Sequence, residues 1–472
     1  MTDFVEPVQS ELELDLDVET ESLFDPELFE GYNGRRLKAA IALCLLWLLT
    51  GFLHLISWGH SLVLVVTSLM AIHALRVILS KPLLPPQALP SVKGNSSDRS
   101  ATLEADKADA WPYISLLVAA KNEEQVIGRL VESLLTLDYP SHRYDLWVID
   151  DYSTDATPQI LDNLARKHPT LNVIHRGPNA TGGKSGALNL VWPKTKGDLL
   201  AVFDADAHVP TDLLRHVVPM FDATQGVAKT GAIQVRKAIA NVSTNLWTRG
   251  QKAEMALDCY IQQRRIAIGG IGELRGNGQF VRRRAIAQCG GWNEETITDD
   301  LDLTIQLHLH GWNIDLLFQP AVEEEGVTNA LALWHQRNRW AEGGFQRYLD
   351  YWRLLAKNQL GWGKTIDMAG FWMIQYMLPV VAFPDFVLSL FRHQLPVFGP
   401  MTAMAVAMSG IGMFTTLREA EAKTSVWSAI GQTVLGSIYM LHWLVVIGTM
   451  AMRISIRPKQ LKWVKTVHSA DM

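Results

Sequence analysis

Residues 201–210 read AVFDADAHVP, an apolar run that ends in two aspartates one residue apart, Asp204 and Asp206. The apolar part predicts a buried strand, which would deliver both carboxylates at its carboxyl end. In open α/β sheets this is the edge where ligands bind. Paired carboxylates there suit a divalent metal on a phosphate. A strand that simply runs into an acidic turn gives the same pattern. The neighbouring residues must therefore show whether this is a ligand site or only a turn.

The residues around this stretch alternate between strand and helix patterns. The strand-like runs are YISLLVAA (113–120), YDLWVID (144–150), LNVIHR (171–176) and LLAVFDAD (199–206). Segments with helical periodicity at 123–136 and 156–168 lie between the first three. Strands that alternate with helices form a mostly parallel, doubly wound sheet with right-handed crossovers. The sequence therefore predicts an α/β domain over residues 111–329.

Apolar residues are concentrated on both sides of this domain. The chain of 472 residues is 48% hydrophobic. Its long apolar runs lie at 39–57, 62–80, 368–391, 401–417 and 429–451. Runs of about 20 apolar residues can cross a bilayer. We therefore expect an α/β domain inserted between transmembrane α-helices, two of them within 34–81 and the others within 361–452.

Basic residues indicate how such a protein would be oriented. Those that flank the first two apolar runs are Arg35, Arg36, Arg76 and Lys81. Basic flanks stay on the cytoplasmic side, which places the α/β domain in the cytosol of a multi-pass integral membrane protein. The basic tail 453–472 should also be cytoplasmic, and that conflicts with five crossings. Pro379 and Pro384 make the run 368–391 a candidate for a broken or re-entrant hairpin.

Composition assigns the remaining segments. Residues 1–33 are acidic and contain no Lys or Arg, which predicts a disordered tail. Residues 82–110, rich in Pro, Ser and Asp, predict a linker. Residues 330–360 mix tryptophans with arginines, which favours a membrane-interface helix, with an ordinary core helix as the alternative. The modest net charge of -5 argues against a nucleic-acid partner.

Charged motifs recur along the chain at the predicted strand ends and in the loops after them. They are Asp150-Asp151, Lys184 in GGKSGALN, Asp204-Ala205-Asp206, Thr298-Asp299-Asp300 and Gln336-Arg337-Asn338-Arg339-Trp340. Each motif alone is weak evidence. In this order and on this α/β pattern they resemble the family 2 membrane glycosyltransferases, which include cellulose, chitin and hyaluronan synthases. The resemblance implies a GT-A fold, a nucleotide-sugar donor and Mg²⁺, with Mn²⁺ as the alternative metal.

The resemblance also implies which residues bind the donor. Asp151, with Asp150, would meet the nucleoside, and Lys184 would meet the nucleotide. Asp206 would hold the metal on the diphosphate, with Asp204 close to it. These roles agree with the chemistry, because Mg²⁺ is bound through one or two carboxylates and phosphate oxygens.

A second group of residues would act on the acceptor. Asp300 would be the general base, since a carboxylate opposite the leaving group can take the proton of an attacking hydroxyl. Asp299 stands where the polysaccharide synthases usually have glutamate, so the choice between these neighbours stays open, and Asp302 is a third carboxylate nearby. The residues that would cap the diphosphate and line the acceptor site are Gln336, Arg339 and Trp340. His335, beside this motif, is interpreted as structural.

Longer runs narrow the resemblance to cyanobacterial members of this family that glucosylate a lipid. They include GGIGELRGNGQFVRR (269–283), CGGWNEETITDDLDLT (289–304) and LWHQRNRWAEGG (333–344). The resemblance implies UDP-glucose as donor, diacylglycerol in the bilayer as acceptor, and a plasma or thylakoid membrane as the location. By the same analogy, Asn277 and Gly278 would approach the acceptor hydroxyl. Two alternatives remain: a processive polysaccharide synthase, and a non-catalytic scaffold that binds nucleotide sugars.

Overall fold

The computed structural model describes residues 28–29, 31–93, 111–222, 230–420 and 425–457. Its centre is a sheet with the strand order β3-β2-β1-β4-β6-β5-β7. The strands are β1 Ile114–Ala120, β2 Tyr144–Asp150, β3 Leu171–His175, β4 Leu199–Phe203, β5 Thr230–Ile239, β6 Gln279–Arg282 and β7 Asn313–Glu324. Among these described strands, only β6 runs antiparallel to its neighbours. The predicted mostly parallel sheet is confirmed.

The helices divide between the domain and the apolar runs. The helices that precede the last strand in the chain are α1 Arg35–Leu55, α2 Gly59–Leu79, α3 Ile127–Leu135, α4 Thr157–Lys167, α5 Gly183–Val191, α6 Leu213–Asp222, α7 Leu246–Ala267, α8 Arg283–Gln288 and α9 Asp299–Leu309. Those after it are α10 Ala330–Ala356, α11 Trp362–Trp372, α12 Leu378–Phe391, α13 Gly399–Ala420, α14 Val426–Met440 and α15 His442–Ile456.

Helices cover both faces of the sheet. Every residue of β1 is buried, because alternate side chains enter opposite cores. Leu116 and Val118 pack in the core that holds α3, α4 and α6. Leu117 and Ala119 pack in the core that holds α5, α8 and α9. This doubly wound arrangement leaves the carboxyl ends of the parallel strands open for a site.

Within the described residues, five helical runs are long and apolar enough to cross a membrane. They are Arg35–Leu55, Gly59–Leu79, Trp362–Phe391, Gly399–Ala420 and Val426–Ile456. The third run contains both prolines of the expected hairpin, yet it stays helical throughout, so the hairpin is not formed. Pro379 has no N–H to donate to the carbonyl of Gln375. The backbone instead takes a wider π turn over Met373–Met377, immediately before α12.

The last apolar run keeps touching the α/β domain. Trp443 Nε1 donates a hydrogen bond to Glu254 Oε1 of α7 over 2.8 Å. Ten residues later, Arg453 Nη1 donates to Asn338 Oδ1 over 2.9 Å and Arg453 Nη2 contacts Glu342 Oε2 at 3.0 Å, both on α10. Ten helical residues span about 15 Å, half of the hydrocarbon core of about 30 Å. Between these two contacts α15 also packs on α1 and α12, with Val446 and Ile447 in the same core as Ala39 and Val380.

Helix α10 fits neither of its two predicted descriptions along its whole length. Its first turns expose Leu331 and Trp334, as a membrane-interface helix would. Residues 341–351 are buried throughout, and Phe345 packs against Tyr376 of the π turn. For the start of the helix, the interface description stays a prediction. The rest is a core helix, because α9, α1 and α15 enclose it.

The flanking segments are described only in part. Residues 82–93 form neither helix nor strand, as expected of a linker, but they are bound to the domain. Ser91 Oγ and Val92 N both donate to the Asp138 carboxylate, over 2.7 and 2.9 Å. Residues 94–110, most of the acidic tail and the basic tail from 458 onward lie outside the described residues.

Candidate active site

A cavity of about 1350 Å³ opens at the carboxyl edge of the sheet and extends to the helices of the apolar runs. Most of the predicted site residues line it. They are Lys184, Asp204, Asp206, Asp300, Gln336, Arg339 and Trp340. Ligand pockets of small molecules usually measure about 300–1,000 Å³. This cavity therefore has room for a nucleotide sugar and a second substrate.

Asp204 follows β4 directly and forms an ion pair with the lysine of the glycine-rich motif. Lys184 Nζ donates to Asp204 Oδ1 over 2.6 Å. Burial favours the neutral forms of both groups, but their mutual attraction prevails: the pKa of Lys184 is raised and the pKa of Asp204 is lowered. Gly182 precedes α5 with φ 76°, and a side chain there would collide with Glu294. The glycine therefore lets α5 begin where its lysine reaches Asp204.

The D-x-D pair fits a metal that is completed by substrate. Asp204 and Asp206 are half-buried and face the same cavity. In the described part of the chain, no three His, Cys, Asp or Glu side chains are grouped closely enough to hold a metal alone. Mg²⁺ and similar cations often take only one or two carboxylates and complete their shell with phosphate oxygens and water. The carboxylates of Asp204 and Asp206 suit that mode of metal binding.

The structure separates the three acids at the start of α9. Asp299 and Asp300 line the cavity. Asp302 is only 2% exposed and accepts hydrogen bonds from Gln306 Nε2 at 2.7 Å and Tyr351 Oη at 3.0 Å. A helix turns about 200° over two residues, so Asp300 and Asp302 point in opposite directions. Asp302 is removed as a candidate base, whereas the choice between Asp299 and Asp300 stays a prediction.

The pKa of Asp300 suits a general base. Burial and the neighbouring Asp299 raise its pKa to about 6. The backbone N–H of Leu301 donates to Asp300 Oδ1 over 2.9 Å, which limits this rise by stabilising the anion. A base with a pKa near the working pH is ionised and still takes up a proton readily. Asp300 could therefore deprotonate a hydroxyl in this cavity at neutral pH.

The Q-x-x-R-W motif occupies the first turns of α10. Burial lowers the pKa of Arg339, and the attraction of Asp204 and Asp300 opposes that effect, so its guanidinium stays charged beside the acids. The ring of Trp340 has two cations near it. The guanidinium carbon of Arg337 lies 4.1 Å from the ring centroid and Lys237 Nζ lies 5.2 Å from it. These contacts hold the indole in the cavity wall.

Comparisons with known proteins identify the family of this chain. The sequence profile described as "Glycosyltransferase like family 2" matches residues 112–343. The chain is 53% identical over 457 residues to a beta-monoglucosyldiacylglycerol synthase of Nostoc sp., covering 96% of this chain and 92% of the relative. It is 50% identical to a synthase of the same name from Synechocystis sp., covering 95% and 91%. The chain belongs to the family 2 glycosyltransferases. The predicted family and its GT-A-like fold are confirmed.

Among solved structures, the chain is similar to the mannosyltransferase PcManGT of Pyrobaculum calidifontis, which was determined in complex with GDP-Man and Mn²⁺. The identity is 17%, the TM-score is 0.49, and the match covers 84% of this chain and 99% of that one.

Asp150 and Asp151 of this glycosyltransferase are not among the residues that line the cavity. They lie at the end of β2, only 3% and 5% exposed. Asp151 Oδ1 accepts a hydrogen bond from Arg176 Nη1 over 2.6 Å. Asp150 Oδ2 lies 2.9 Å from His175 Nδ1, and its Oδ1 accepts the backbone N–H of Ser153. Their proposed contact with the nucleoside stays a prediction.

Asn277 and Gly278 do not reach the cavity, contrary to the expectation from the family analogy. Asn277 is fully buried, and its Oδ1 accepts the backbone N–H of Asp204 over 3.2 Å. Gly278 lies against Val235 and Val322 with φ 71°. Both residues pack behind the D-x-D motif. They support Asp204, because the backbone N–H of Gly278 also donates to the carbonyl of Val202 in β4 over 3.0 Å.

Several residues of the cavity wall were not predicted. Lys237 of β5 forms an ion pair with Glu324 at 3.2 Å and approaches Trp340. Arg275 donates to Glu273 over 2.5 Å and to Asp258 over 2.8 Å. The glycine-rich run around Arg275 was a signal for this residue. Lys237 lies within a strand and carried no such signal. His335, interpreted as structural, is exposed at the cavity wall.

Proposed function

We propose that this glycosyltransferase moves glucose from UDP-glucose to the sn-3 hydroxyl of 1,2-diacylglycerol and forms β-monoglucosyldiacylglycerol. The observation that carries the proposal is the 53% identity, over 96% of the chain, to a relative named as a synthase of that product. The cavity supports it, since its wall combines acids and bases of the sheet edge with apolar residues of the membrane helices. An acceptor held in the bilayer needs such a path to a donor in the cytosol.

In this proposal Asp300 takes the proton of the acceptor hydroxyl while the oxygen attacks the anomeric carbon of glucose. The bond from that carbon to the diphosphate breaks on the opposite side. The configuration is therefore inverted, and an α-linked donor gives a β-glucoside. General base catalysis of this kind contributes about 10²–10⁴ in rate. The raised pKa of Asp300, about 6, supports the assignment.

The donor diphosphate would lie between the cations of the cavity. Arg339 can hold it with forked hydrogen bonds, and Lys184 adds a point charge beside Asp204. Asp206, with Asp204, would hold a divalent cation such as Mg²⁺ or Mn²⁺, which when bound supplies positive charge to the departing diphosphate. Asp151, with Asp150, would contact the nucleoside.

We infer that the catalytic domain faces the cytosol of a cyanobacterial plasma or thylakoid membrane and that the chain crosses this membrane four times. The crossing helices would be α1, α2, the continuous run α11–α12, and α13. Helices α14 and α15 would stay at the cytosolic face, supported by the contacts of Trp443 and Arg453 with the domain. Both ends of the chain are then cytoplasmic, in agreement with their basic flanks.

The test is transfer by the purified protein in micelles that contain diacylglycerol. UDP-glucose and UDP-galactose are supplied in parallel, with and without Mg²⁺, and the lipid products are weighed by mass spectrometry. The proposal expects a metal-dependent monohexosyl lipid from UDP-glucose alone. A polymer without glycolipid would point to a polysaccharide synthase. UDP binding without any product would point to a non-catalytic scaffold.

A further inference from the structure

One part of the cavity wall is apolar and belongs to the helices of the membrane runs. Its side chains are Phe371 of α11, Ile374 of the π turn, Pro379 of α12, and Leu444 and Ile447 of α15. We call the part of the cavity that these residues line the acyl corridor. It is continuous with the space in front of the acids, because all of them line the same cavity. An apolar channel next to a polar site suits a ligand with hydrocarbon tails.

An amide side chain interrupts this apolar wall. Gln375 lies in the π turn and lines the cavity, and its Oε1 is buried without a hydrogen-bond partner among the described residues. Buried polar atoms are rarely left unpaired, and each exception calls for an explanation. The π turn is itself a feature that occurs frequently at functional sites. An amide can both donate and accept hydrogen bonds, so it suits the ester and hydroxyl groups of a glycerolipid.

Exposed apolar side chains suited to the membrane surface lie at the cavity wall and on the two helix starts beside it. Trp334 lines the cavity and is 36% exposed, and Leu331, one turn earlier on α10, is 66% exposed. Trp247 at the start of α7 is 39% exposed. Asn245 Nδ2 donates to the carbonyl of Thr328 over 2.8 Å and so joins the two helix starts. Tryptophan is enriched at membrane–water interfaces, which makes this edge suitable for lateral entry of a lipid.

We propose that the acyl chains of the acceptor lie in the acyl corridor, with the glycerol ester groups at Gln375. The lipid would enter sideways from the bilayer past Trp334. This inference rests on the proposed function, in that it takes the acceptor to be diacylglycerol. It adds a lipid-binding site between the membrane-spanning run α11–α12 and helix α15.

Photocrosslinking tests the site without requiring turnover. The full-length protein, in phospholipid nanodiscs, is irradiated with diacylglycerol that bears a diazirine in one acyl chain, and labelled peptides are mapped by mass spectrometry. Labelling within 371–379 and 440–447, suppressed by excess dioleoylglycerol, is the expected result. Labelling confined to the outer faces of α1 and α2 would overturn the proposal. The same sample, given UDP-glucose, reports separately whether glucosyldiacylglycerol is formed.

Two tryptophan variants on one helix provide the matched comparison. Leu444→Trp fills the acyl corridor, and Leu444 is 41% exposed, so the larger ring can be accommodated without unfolding. Val445→Trp places the same ring one residue later on a side chain that is 57% exposed and outside the cavity wall. We expect Leu444→Trp to reduce specific labelling at least tenfold and Val445→Trp to leave it unchanged. UDP binding should be equal in both. Equal labelling in the two variants would refute the corridor.

The role of Gln375 has its own test. Gln375→Leu keeps the size of the side chain and removes its polar atoms. We expect the KM for dioleoylglycerol to rise about tenfold while the KM for UDP-glucose is unchanged, because only the lipid meets this amide. A KM for dioleoylglycerol that returns to the wild-type value in Gln375→Asn would show that the polar group matters. An unaltered KM for the lipid in Gln375→Leu would overturn the assignment of the ester groups to this residue.

Discussion

A glycine on α10 controls the position of the candidate base. Gly343 packs directly on Thr298, the residue before α9, whose first turn carries Asp299 and Asp300. A Cβ at position 343 would stand 2.8 Å from Thr298 Cβ, and closer still to Thr298 Oγ1 and Cγ2. Ordinary contact begins at 3.4 Å, so the shortfall at Cβ alone is 0.6 Å. Gly343→Ala must therefore displace one of the two segments.

The segment that moves should be the one with Thr298. Residues 341–351 of α10 are buried throughout, and Glu342 is held by Arg453. Asp300 will therefore shift with Thr298 by roughly half to one ångström. A misplacement of about 1 Å can cost about 10² in rate. We expect the kcat of glucosyl transfer to fall about 10- to 100-fold while UDP binding is retained, since Lys184 and Asp206 lie on other elements.

The assay is transfer to diacylglycerol at saturating UDP-glucose, together with calorimetric UDP binding and the melting temperature. Gly410→Ala is the matched control: the same change on helix α13, where a Cβ would meet nothing within 4 Å. The reasoning is refuted if Gly343→Ala is folded and transfers glucose within about twofold of Gly410→Ala. Loss of UDP binding in Gly343→Ala would also refute it, because the damage would then not be local to α9.

Four further predictions concern the acids and the membrane topology. Asp206→Ala should abolish metal-dependent UDP binding and turnover, and normal metal-dependent binding would move the metal site elsewhere. Asp300 accepts a proton only when ionised, so with its pKa raised to about 6, kcat/KM should fall about tenfold per unit below pH 6 and level off above it. Asp300→Asn should lose about 10²-fold or more of the transfer rate and keep UDP binding; an active variant would remove Asp300 as the base. In vesicles, the variants Lys93→Cys and Arg457→Cys should react with an impermeant maleimide from one side of the membrane. The variant Gln394→Cys should react from the other side. Reaction of Arg457→Cys together with Gln394→Cys would mean that α14–α15 crosses the membrane.

Local pattern in the sequence was sufficient for the architecture. Continuous apolar runs in the strands and a period of 3.6 in the helices indicated the doubly wound sheet, because helices on both faces of such a sheet bury both sides of its central strands. The carboxyl ends of parallel strands meet at one edge, so Asp204 and Lys184 were expected together, and they are paired at 2.6 Å. The length of the apolar runs indicated the membrane helices for a similarly local reason, because the thickness of the bilayer sets the length of a helix that crosses it.

Tertiary structure alone decided which of several similar residues face the cavity. Asp300 and Asp302 are both acids of one turn, and Arg337 and Arg339 are both arginines of one motif. Asp302 and Arg337 point into the protein, where Arg337 pairs with Glu254 at 2.5 Å. The direction of a side chain around a helix depends on what packs against each face, and those partners are far away in sequence.

The same reason explains the failed expectations for the membrane part. Pro379 and Pro384 suggested a hairpin, but neighbouring helices and a π turn accommodate them within one helix. The position of α15 depends on Trp443 meeting Glu254, 189 residues earlier in the chain. The composition of one sequence segment cannot reveal such a pair. The contacts that hold an apolar helix against a domain form only when distant parts of the chain have folded together.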